Sequence, residues 1–312
     1  MGHRTKSNST RHKFGGPWTE IKLKAIEEYL NFYTNALKNK GFDLWYVDAF
    51  AGTGSRSQDV EAGGLFEGEP TYIEERILDG SARKALKVAP PFKHLVFVEQ
   101  RDRRHKALCK LKQEFEDRDV RPIKEDANQA LTVLFSSAPW ATSHSDHWKQ
   151  RAVVFLDPYG MSVRWSTLKL LAESKRADVW YLFPLKAVVQ QLANDFDAID
   201  ETKRMSLNEI FGTATWEDEF YGDRQDGKDL FSEPTTARAR KADRKEISAF
   251  VRKRLKTLFT YVSEPIPLEV KSQDFFLLYC LSNNGSAVSL ISKGVDHVVK
   301  KYTPASRQTS GR

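Results

Sequence analysis

Leu44-Trp-Tyr-Val-Asp-Ala-Phe-Ala-Gly-Thr-Gly54 and Val153-Val-Phe-Leu-Asp-Pro-Tyr-Gly160 are the two stretches that decide the fold of this 312-residue chain. Each is a short apolar run that ends on an aspartate and a glycine-containing turn, the pattern of a buried strand entering a loop. Further strand-like runs lie outward from them: Leu95–Val98 closing on Glu99, Val120–Ile123 leading to Asp126, and Val179–Phe183. Between these runs the apolar residues recur at helical spacing. Examples are Ile21, Ala25, Ile26, Tyr29, Leu30, Tyr33 and Leu37, then Ala107, Leu108, Leu111 and Phe115, then Ala130, Leu131 and Leu134. Short strands alternating with amphipathic helices predict a parallel sheet covered on both faces. Near the end, Phe275–Leu281 and Ala287–Ile291 flank Ser282-Asn-Asn-Gly-Ser286, and Asn-Gly between two strand-like runs predicts an antiparallel hairpin. The expected architecture is an α/β, Rossmann-like sheet, mostly parallel, with an antiparallel C-terminal hairpin. Residues 17–186 and 266–300 build that domain, and 187–265, charged and short of strand patterns, form a helical insertion or lid. Residues 1–16 read as a disordered basic arm and 301–312 as a disordered tail.

The composition sets limits on function. With 40% apolar residues and seven tryptophans the chain can bury a sizeable core. A net charge of +7 and a pI near 9.2 give a field that draws polyanions. Cys109 and Cys280 are far apart and form neither a disulfide framework nor a metal site, so a reducing cytoplasm is the expectation. No apolar run approaches the roughly 18 residues of a membrane span, and Met1–Lys13 has no signal-peptide core.

Four carboxylates fall at the ends of expected strands: Asp48, Glu99, Asp126 and Asp157. Each has an ordinary explanation, since aspartate favours turns and helix N-caps, Asp126 above all. Together, at the edge where open α/β sheets bind ligands, they point to a site. In Asp48-Ala-Phe50-Ala-Gly52-Thr-Gly54, glycines without Cβ let the backbone approach a ligand, and the acid beside them can hold a cationic amino group. Ser57 stands where a dinucleotide loop has its third glycine, which argues against a nicotinamide cofactor. Glu99 is placed to accept two hydrogen bonds from ribose hydroxyls. The expected cofactor is S-adenosylmethionine, bound by Asp48, Phe50, Gly52, Gly54, Glu99 and Asp126. The polar loop Ser55–Asp79 reads either as a mobile cover over that site or as a surface insertion.

Leu156-Asp-Pro-Tyr-Gly160 carries the chemistry. An exocyclic amine on a base is a poor nucleophile because its lone pair is delocalised into the ring. A carboxylate and a backbone carbonyl can draw its hydrogens out of plane and localise that pair. Asp157 and the Pro158 carbonyl fit this task, with Tyr159 packing on the base. Transfer from a sulfonium then needs alignment rather than a metal. His144 and His147 lie in a polar loop with no third ligand, so no metal is expected. Zinc-deaminase, phosphate-loop and serine-elbow motifs do not occur. The stretch Arg238–Lys256 holds nine Lys/Arg against two Asp/Glu, with an apolar stripe through Ile247, Phe250, Val251, Leu255, Leu258 and Phe259. It reads as a helix whose basic face, with Arg240, Arg244, Arg252 and Lys256, is available to nucleic-acid phosphates, or else as a solvated face.

The sequence resembles the three-Cys-motif partner protein (TcmP) family of Rossmann-like methyltransferase homologues. The resemblance is carried by Gly16-Pro-Trp-Thr-Glu-Ile-Lys22, Tyr46–Gly54, Gly80-Ser-Ala-Arg83, Phe97-Val-Glu-Gln100, Phe155–Gly160 and Leu182-Phe-Pro-Leu185. It implies S-adenosylmethionine as cofactor and a companion protein with three cysteines, itself similar to radical-S-adenosylmethionine enzymes. Amino methyltransferases commonly carry Asp-Pro-Pro-Tyr, with the aromatic one place later than Tyr159. Asp-Pro-Tyr-Gly is similar to the motif of transfer-RNA guanine-N2 methyltransferases, so methylation of an exocyclic amine is the expected activity. Two alternatives stand beside it: a methyltransferase fold kept as a binding scaffold for the partner protein, and methylation of a small molecule or protein.

Overall fold

The computed structural model describes residues 17–53, 55–56, 78–223, 238–270, 273–285 and 288–304. In it, Asp43–Asp48 is strand β1, lying inside an eight-stranded sheet. Helix α1 (Pro17–Leu37) precedes it, and two short strands, β2 (Ser55–Arg56) and β3 (Leu78–Asp79), pair with each other after it. The chain continues through α2 (Ser81–Leu86), β4 (His94–Val98), α3 (Asp102–Glu114), β5 (Asp119–Ile123) and α4 (Ala127–Ser136). Then come β6 (Gln150–Leu156), α5 (Trp165–Ser174), β7 (Ala177–Phe183) and α6 (Leu185–Gln191). Strands β7-β6-β1-β4-β5 lie side by side in that order, all parallel. From β1 the chain moves outward through β4 and β5, then returns to β6 and β7 on the other side. The order therefore reverses beside β1, the crevice where open α/β sheets take their ligands.

After α6 come α7 (Glu201–Phe211), α8 (Trp216–Phe220), β8 (Tyr221–Asp223), β9 (Arg238–Arg240) and α9 (Arg244–Leu255). The segment 187–265 is thus helical but holds strands that its sequence does not announce. Strands β8 and β9 form a small antiparallel ribbon, and β10 (Tyr261–Val262) joins the main sheet. Arg238–Lys256 is accordingly not one helix, because Arg240 lies on β9 and Lys256 follows the end of α9.

The antiparallel pair is present, one strand earlier than expected. Strand β11 (Ile266–Val270) pairs with β12 (Gln273–Ser282), which also runs antiparallel to β7. Beyond Asn284-Gly285 the chain enters helix α10 (Val288–Tyr302) instead of a strand, so the expected tail starts after 302 at the earliest. Ile291, Val295 and Val298 recur at i, i+4 and i+7 and are buried in the cluster that holds α1. The Asn283 amide donates to the carbonyls of Ala172 (3.0 Å) and Leu258 (2.7 Å), pinning the chain where it leaves the sheet. Pro267 disguised β11, yet a proline is tolerated on an edge strand because no ladder donor is needed on its outer side. The arm 1–16, Gly54, most of the loop 55–79 and the tail from 305 lie outside the described residues.

Side chains alternate across the sheet and bury two layers. Trp45, Val47, Val154, Leu156 and Tyr181 pack beneath helices α4 to α9, whose Leu207, Phe211, Trp216, Phe220 and Phe250 join the same cluster. Tyr46, Phe97, Phe155, Trp180 and Cys280 pack beneath α1, α2, α3 and α10. Among the described residues no helix is long and apolar enough to cross a membrane.

A buried carboxyl fixes α1 to this sheet. The Tyr29 hydroxyl donates to Asp178 Oδ2 (2.8 Å) and the Ser282 hydroxyl to Oδ1 (2.6 Å). Burial, partly opposed by these two bonds, pushes Asp178 from 3.8 up to about 6. A carboxyl whose folded value lies above its unfolded one favours the native state at low pH. That contribution is full below about pH 4 and is lost as pH rises through about 6, a swing of about 3 kcal/mol. Asn at 178 keeps the shape, and both hydroxyls can turn to suit an amide. Asp178→Asn is therefore expected to flatten the fall in melting temperature between pH 4 and pH 7. Thermal denaturation across that range checks this, and an equally steep fall in the variant would refute it.

Candidate active site

Three adjacent strands deliver three acids to one edge. Asp48 ends β1, while Glu99 and Asp157 follow the ends of its two neighbours, β4 and β6. The turn after β1 is stitched between those neighbours, Ala49 N donating to Phe155 O and Ala51 N to Val98 O, both at 3.0 Å. Asp126, the fourth acid, follows the next strand, β5. The expected grouping of the four at the carboxyl edge is present.

Asp48 is fully buried, more enclosed than an acid open to a ligand's amino group. Its Oδ1 accepts from Phe50 N (3.2 Å), its Oδ2 from the Tyr46 hydroxyl (3.5 Å), and the Ser81 side chain also bonds it. Burial pushes its carboxyl from 3.8 up to about 7; the Ser81 bond and the Lys22 charge oppose this, and the Asp157 charge adds to it. An approaching cation would draw it back to the ionised form. Phe50 is half-buried against the core beside it. Gly52 has φ +61°, and a Cβ built there would find nothing within 4 Å. The backbone conformation demands glycine, and the space beside it is open.

Glu99 is 6% exposed; its Oε1 accepts from Arg101 N at 2.8 Å, and Oε2 lies 4.0 Å from Arg104 Nη1. Asp126 caps α4, with Asn128 N (3.0 Å), Gln129 N (3.2 Å) and the Asn128 amide (3.2 Å) all donating to Oδ1. Its cap role is met, and the bonds run through one oxygen of the two.

Asp157 is held from an unexpected direction. Lys22, on α1, donates from Nζ to Asp157 Oδ2; the two side chains are 5% and 26% exposed. The ammonium also sits 5.4 Å from the Trp18 ring centre and 5.9 Å from that of Phe155. Lys22 belongs to the N-terminal Trp block, yet no role follows from that motif. The signal was its place on the helix: Ala25, Ile26 and Tyr29 follow at i+3, i+4 and i+7, so a lysine stands on the buried stripe. A charge so placed needs a partner, and Asp157 supplies it.

Pro158 is buried behind the aspartate, and Gly160, with φ +60°, closes the turn. Tyr159 projects outward, 62% exposed, its hydroxyl accepting from Arg104 Nη1 at 2.6 Å. The loop beyond is clamped by buried Asn128, whose amide donates to Ser162 O (2.9 Å) and whose oxygen accepts from Arg164 N (3.0 Å) and the Thr167 hydroxyl (2.8 Å). No local pattern singles out Asn128, because these partners are 34 to 39 residues away.

The four basic residues read as phosphate contacts lie apart from this edge in character. Arg240 donates to the carbonyl of Leu192 (2.7 Å) and to Asn194 Oδ1 (2.9 Å), and Arg244 to the carbonyl of Asp274 (2.7 Å). Arg252 pairs with Glu264 at 2.5 Å, and Lys256 is exposed. Three of the four cations thus have partners within the chain.

No family model matches the sequence, and no curated protein matches it. Among solved structures, the chain is similar to a Legionella pneumophila str. Philadelphia 1 protein assigned to the family model DUF519. The identity is 13%, the TM-score 0.47, and the match covers 91% of this chain and 93% of that one. It is also similar to a Clostridium acetobutylicum S-adenosylmethionine-dependent methyltransferase (12% identity, TM-score 0.34, 82% and 91% covered). A third likeness is to the candidate methyltransferase yhhF of Escherichia coli, at 17% identity and TM-score 0.29, covering 48% of this chain and 64% of that one.

Proposed function

We propose that this chain is an S-adenosylmethionine-dependent methyltransferase acting on an exocyclic amino group of a nucleic-acid base. The observation that carries the reading is the placement of Asp48, Glu99 and Asp157 on three adjacent strand ends at the switch point. The residues there fit the cofactor: open space beside Gly52, an acid at Glu99 with an oxygen to offer ribose hydroxyls, and Asp126 Oδ2 for an adenine amine. S-adenosylmethionine, when bound, supplies a sulfonium methyl group to the nitrogen. Lys22 engages Oδ2 of Asp157 and fixes the carboxylate, so that Oδ1 faces the amine as acceptor. The Pro158 carbonyl is the second acceptor, and the two together localise the nitrogen lone pair. The exposed ring of Tyr159 offers a face to the base. The resemblance to the three-Cys-motif partner family supports a three-cysteine protein as companion, and the free thiols of Cys109 and Cys280 suit a reducing compartment.

The test is transfer of a tritiated methyl group into total cellular RNA and DNA, followed by nucleoside analysis. Label is expected in an N-methylated base. Label confined to protein or small molecules would overturn the substrate class. In parallel, calorimetry with S-adenosylhomocysteine is expected to show Glu99→Ala binding about tenfold to a hundredfold more weakly, the loss of charge-assisted ribose bonds. Equal affinity would remove Glu99 from the site.

A further inference from the structure

Resting on the reading above, we propose that the first turn of α1 and the start of β12 form the acceptor subsite. A base lies there against Trp18 and Phe276, with the Thr19 hydroxyl at its edge and its amine at Asp157. The two aromatic rings meet at 5.0 Å between centres and 31° between planes, and each is half-buried. Lys22 links them to the acid. Its ammonium lies 5.4 Å from the Trp18 ring centre while it donates to Asp157 Oδ2. The sheet puts this aromatic wall on the side away from the cofactor. Leu277 of β12 pairs with Phe183, the last residue of β7, so Phe276 stands just beyond the carboxyl end of that strand. Strands β6 and β7 are parallel neighbours, which brings that end beside Asp157. The acids assigned to the cofactor, Asp48, Glu99 and Asp126, belong to the ends of β1, β4 and β5, on the other side of β6. A methyl donor over β1 and an acceptor over β7 meet at the end of β6, where Asp157 is, the alignment that transfer needs.

Two further observations point to a ligand at this wall. Leu268 pairs with Phe276 and the next residue, Glu269, with Asp274, which leaves Phe275 as the extra residue of a bulge in β12. Bulges recur beside active sites because they re-aim side chains. The second observation is Thr19. It stands at i to the i+3 of Lys22, so the two are neighbours on the surface of α1. Its Oγ1 is closed off from solvent and has no hydrogen-bond partner among the described residues. A buried hydroxyl left in that state is costly until a partner completes it. A hydroxyl both donates and accepts, so it suits the edge of a nitrogen heterocycle. Rings for stacking and one unmet polar group for orientation are what a planar base requires. A single strand presents both its face and its edge, whereas pairing in a duplex would cover the amine that Asp157 must reach.

The probe is 2-aminopurine, a fluorescent base with an exocyclic amine whose emission reports stacking, placed in short single strands of RNA and of DNA. Each strand is titrated with S-adenosylhomocysteine present and absent. Wild type is expected to change the emission on binding. Trp18→Ala is expected to abolish that change and to weaken binding about tenfold to a hundredfold, with Trp18→Phe in between. Thr19→Val keeps the volume and loses the hydroxyl. It is expected to weaken binding about threefold to tenfold while the emission change is retained. Calorimetry should find S-adenosylhomocysteine affinity within a few fold of wild type in all three variants, which damage to the fold would not allow. The strand that binds more tightly, RNA or DNA, names the source of the base. Unchanged emission and affinity in Trp18→Ala overturn the proposal. A parallel loss of S-adenosylhomocysteine affinity in Trp18→Phe and Thr19→Val overturns it too, because it assigns the turn to the cofactor. Wild type that binds S-adenosylhomocysteine but alters the emission of neither strand sinks the subsite alone. An emission change that depends on Trp18, in a protein that binds no S-adenosylhomocysteine, sinks the methyltransferase reading alone.

Discussion

Asp157→Ala lowers methyl transfer by a factor of about a hundred to a thousand while S-adenosylmethionine affinity stays within a few fold. This is the expected result if Asp157 acts on the amine as it becomes nucleophilic, an interaction realised in the transition state and not in cofactor binding. The geometry separates the two effects. The residues proposed to hold the cofactor end or follow β1 and follow β4 and β5, whereas Asp157 follows β6, on the far side of β1 from Glu99. The substitution has a second consequence, because it strands the Lys22 ammonium, whose side chain is 5% exposed. Rates must therefore be compared well below the variant's melting temperature, with calorimetry showing that the cofactor site is intact. Asp157→Asn gives a control that preserves volume and one acceptor oxygen. Turnover near wild type in folded Asp157→Ala would remove both the catalytic assignment and the amine as target.

The parallel strands other than β5 were legible because each is an apolar run too short for a helix, with an acid or turn at its end. The same contrast made the edge of the sheet readable, and Asp48, Glu99, Asp126 and Asp157 each lie at or just after a strand end there. What was hidden depends on contacts distant in sequence or on a pattern open to two readings. The run after Asn284-Gly285 has too few residues to tell period 2 from period 3.6, and only Val295 and Val298, further on, settle it as helix. Strand β11 is a short run with a proline inside it, which weakens its strand signal. The basic stretch near α9 was correct in composition and in its apolar stripe. Composition does not show that Arg244 reaches Asp274 or that Arg252 reaches Glu264. A charge count does not show which of those cations already have partners within the chain. Lys22 was visible in a motif, but its function depends on a partner 135 residues away.

The Lys22–Asp157 pair makes the strongest prediction about stability, because its two single variants should each be worse than the double. With side chains 5% and 26% exposed, the pair is largely removed from water, so breaking it leaves a poorly solvated charge without its partner. Truncating one member of a buried pair typically costs about 3–5 kcal/mol. Lys22→Met strands Asp157, the more exposed member, and is expected near the lower end, about 3 kcal/mol. Asp157→Leu strands the ammonium between the Trp18 and Phe155 rings, which compensate it weakly, and is expected to cost about as much or more. Lys22→Met with Asp157→Leu removes both desolvated charges and fills their space with apolar side chains, which can be close to neutral for stability. The coupling in this cycle should therefore be a few kcal/mol, well beyond the tenths expected of exposed pairs. Chemical denaturation of the four proteins measures it, and additive losses would show that the pair is solvated and contributes little. Activity should not follow stability. The double variant regains its fold but has no carboxylate at the amine, so its rate is expected to stay as low as that of Asp157→Ala. Lys22→Arg separates the remaining roles: it keeps the charge and pairs with a carboxylate through a planar fork of different reach. If Lys22 sets the aim of Asp157, this variant should restore most of the stability and only part of the rate.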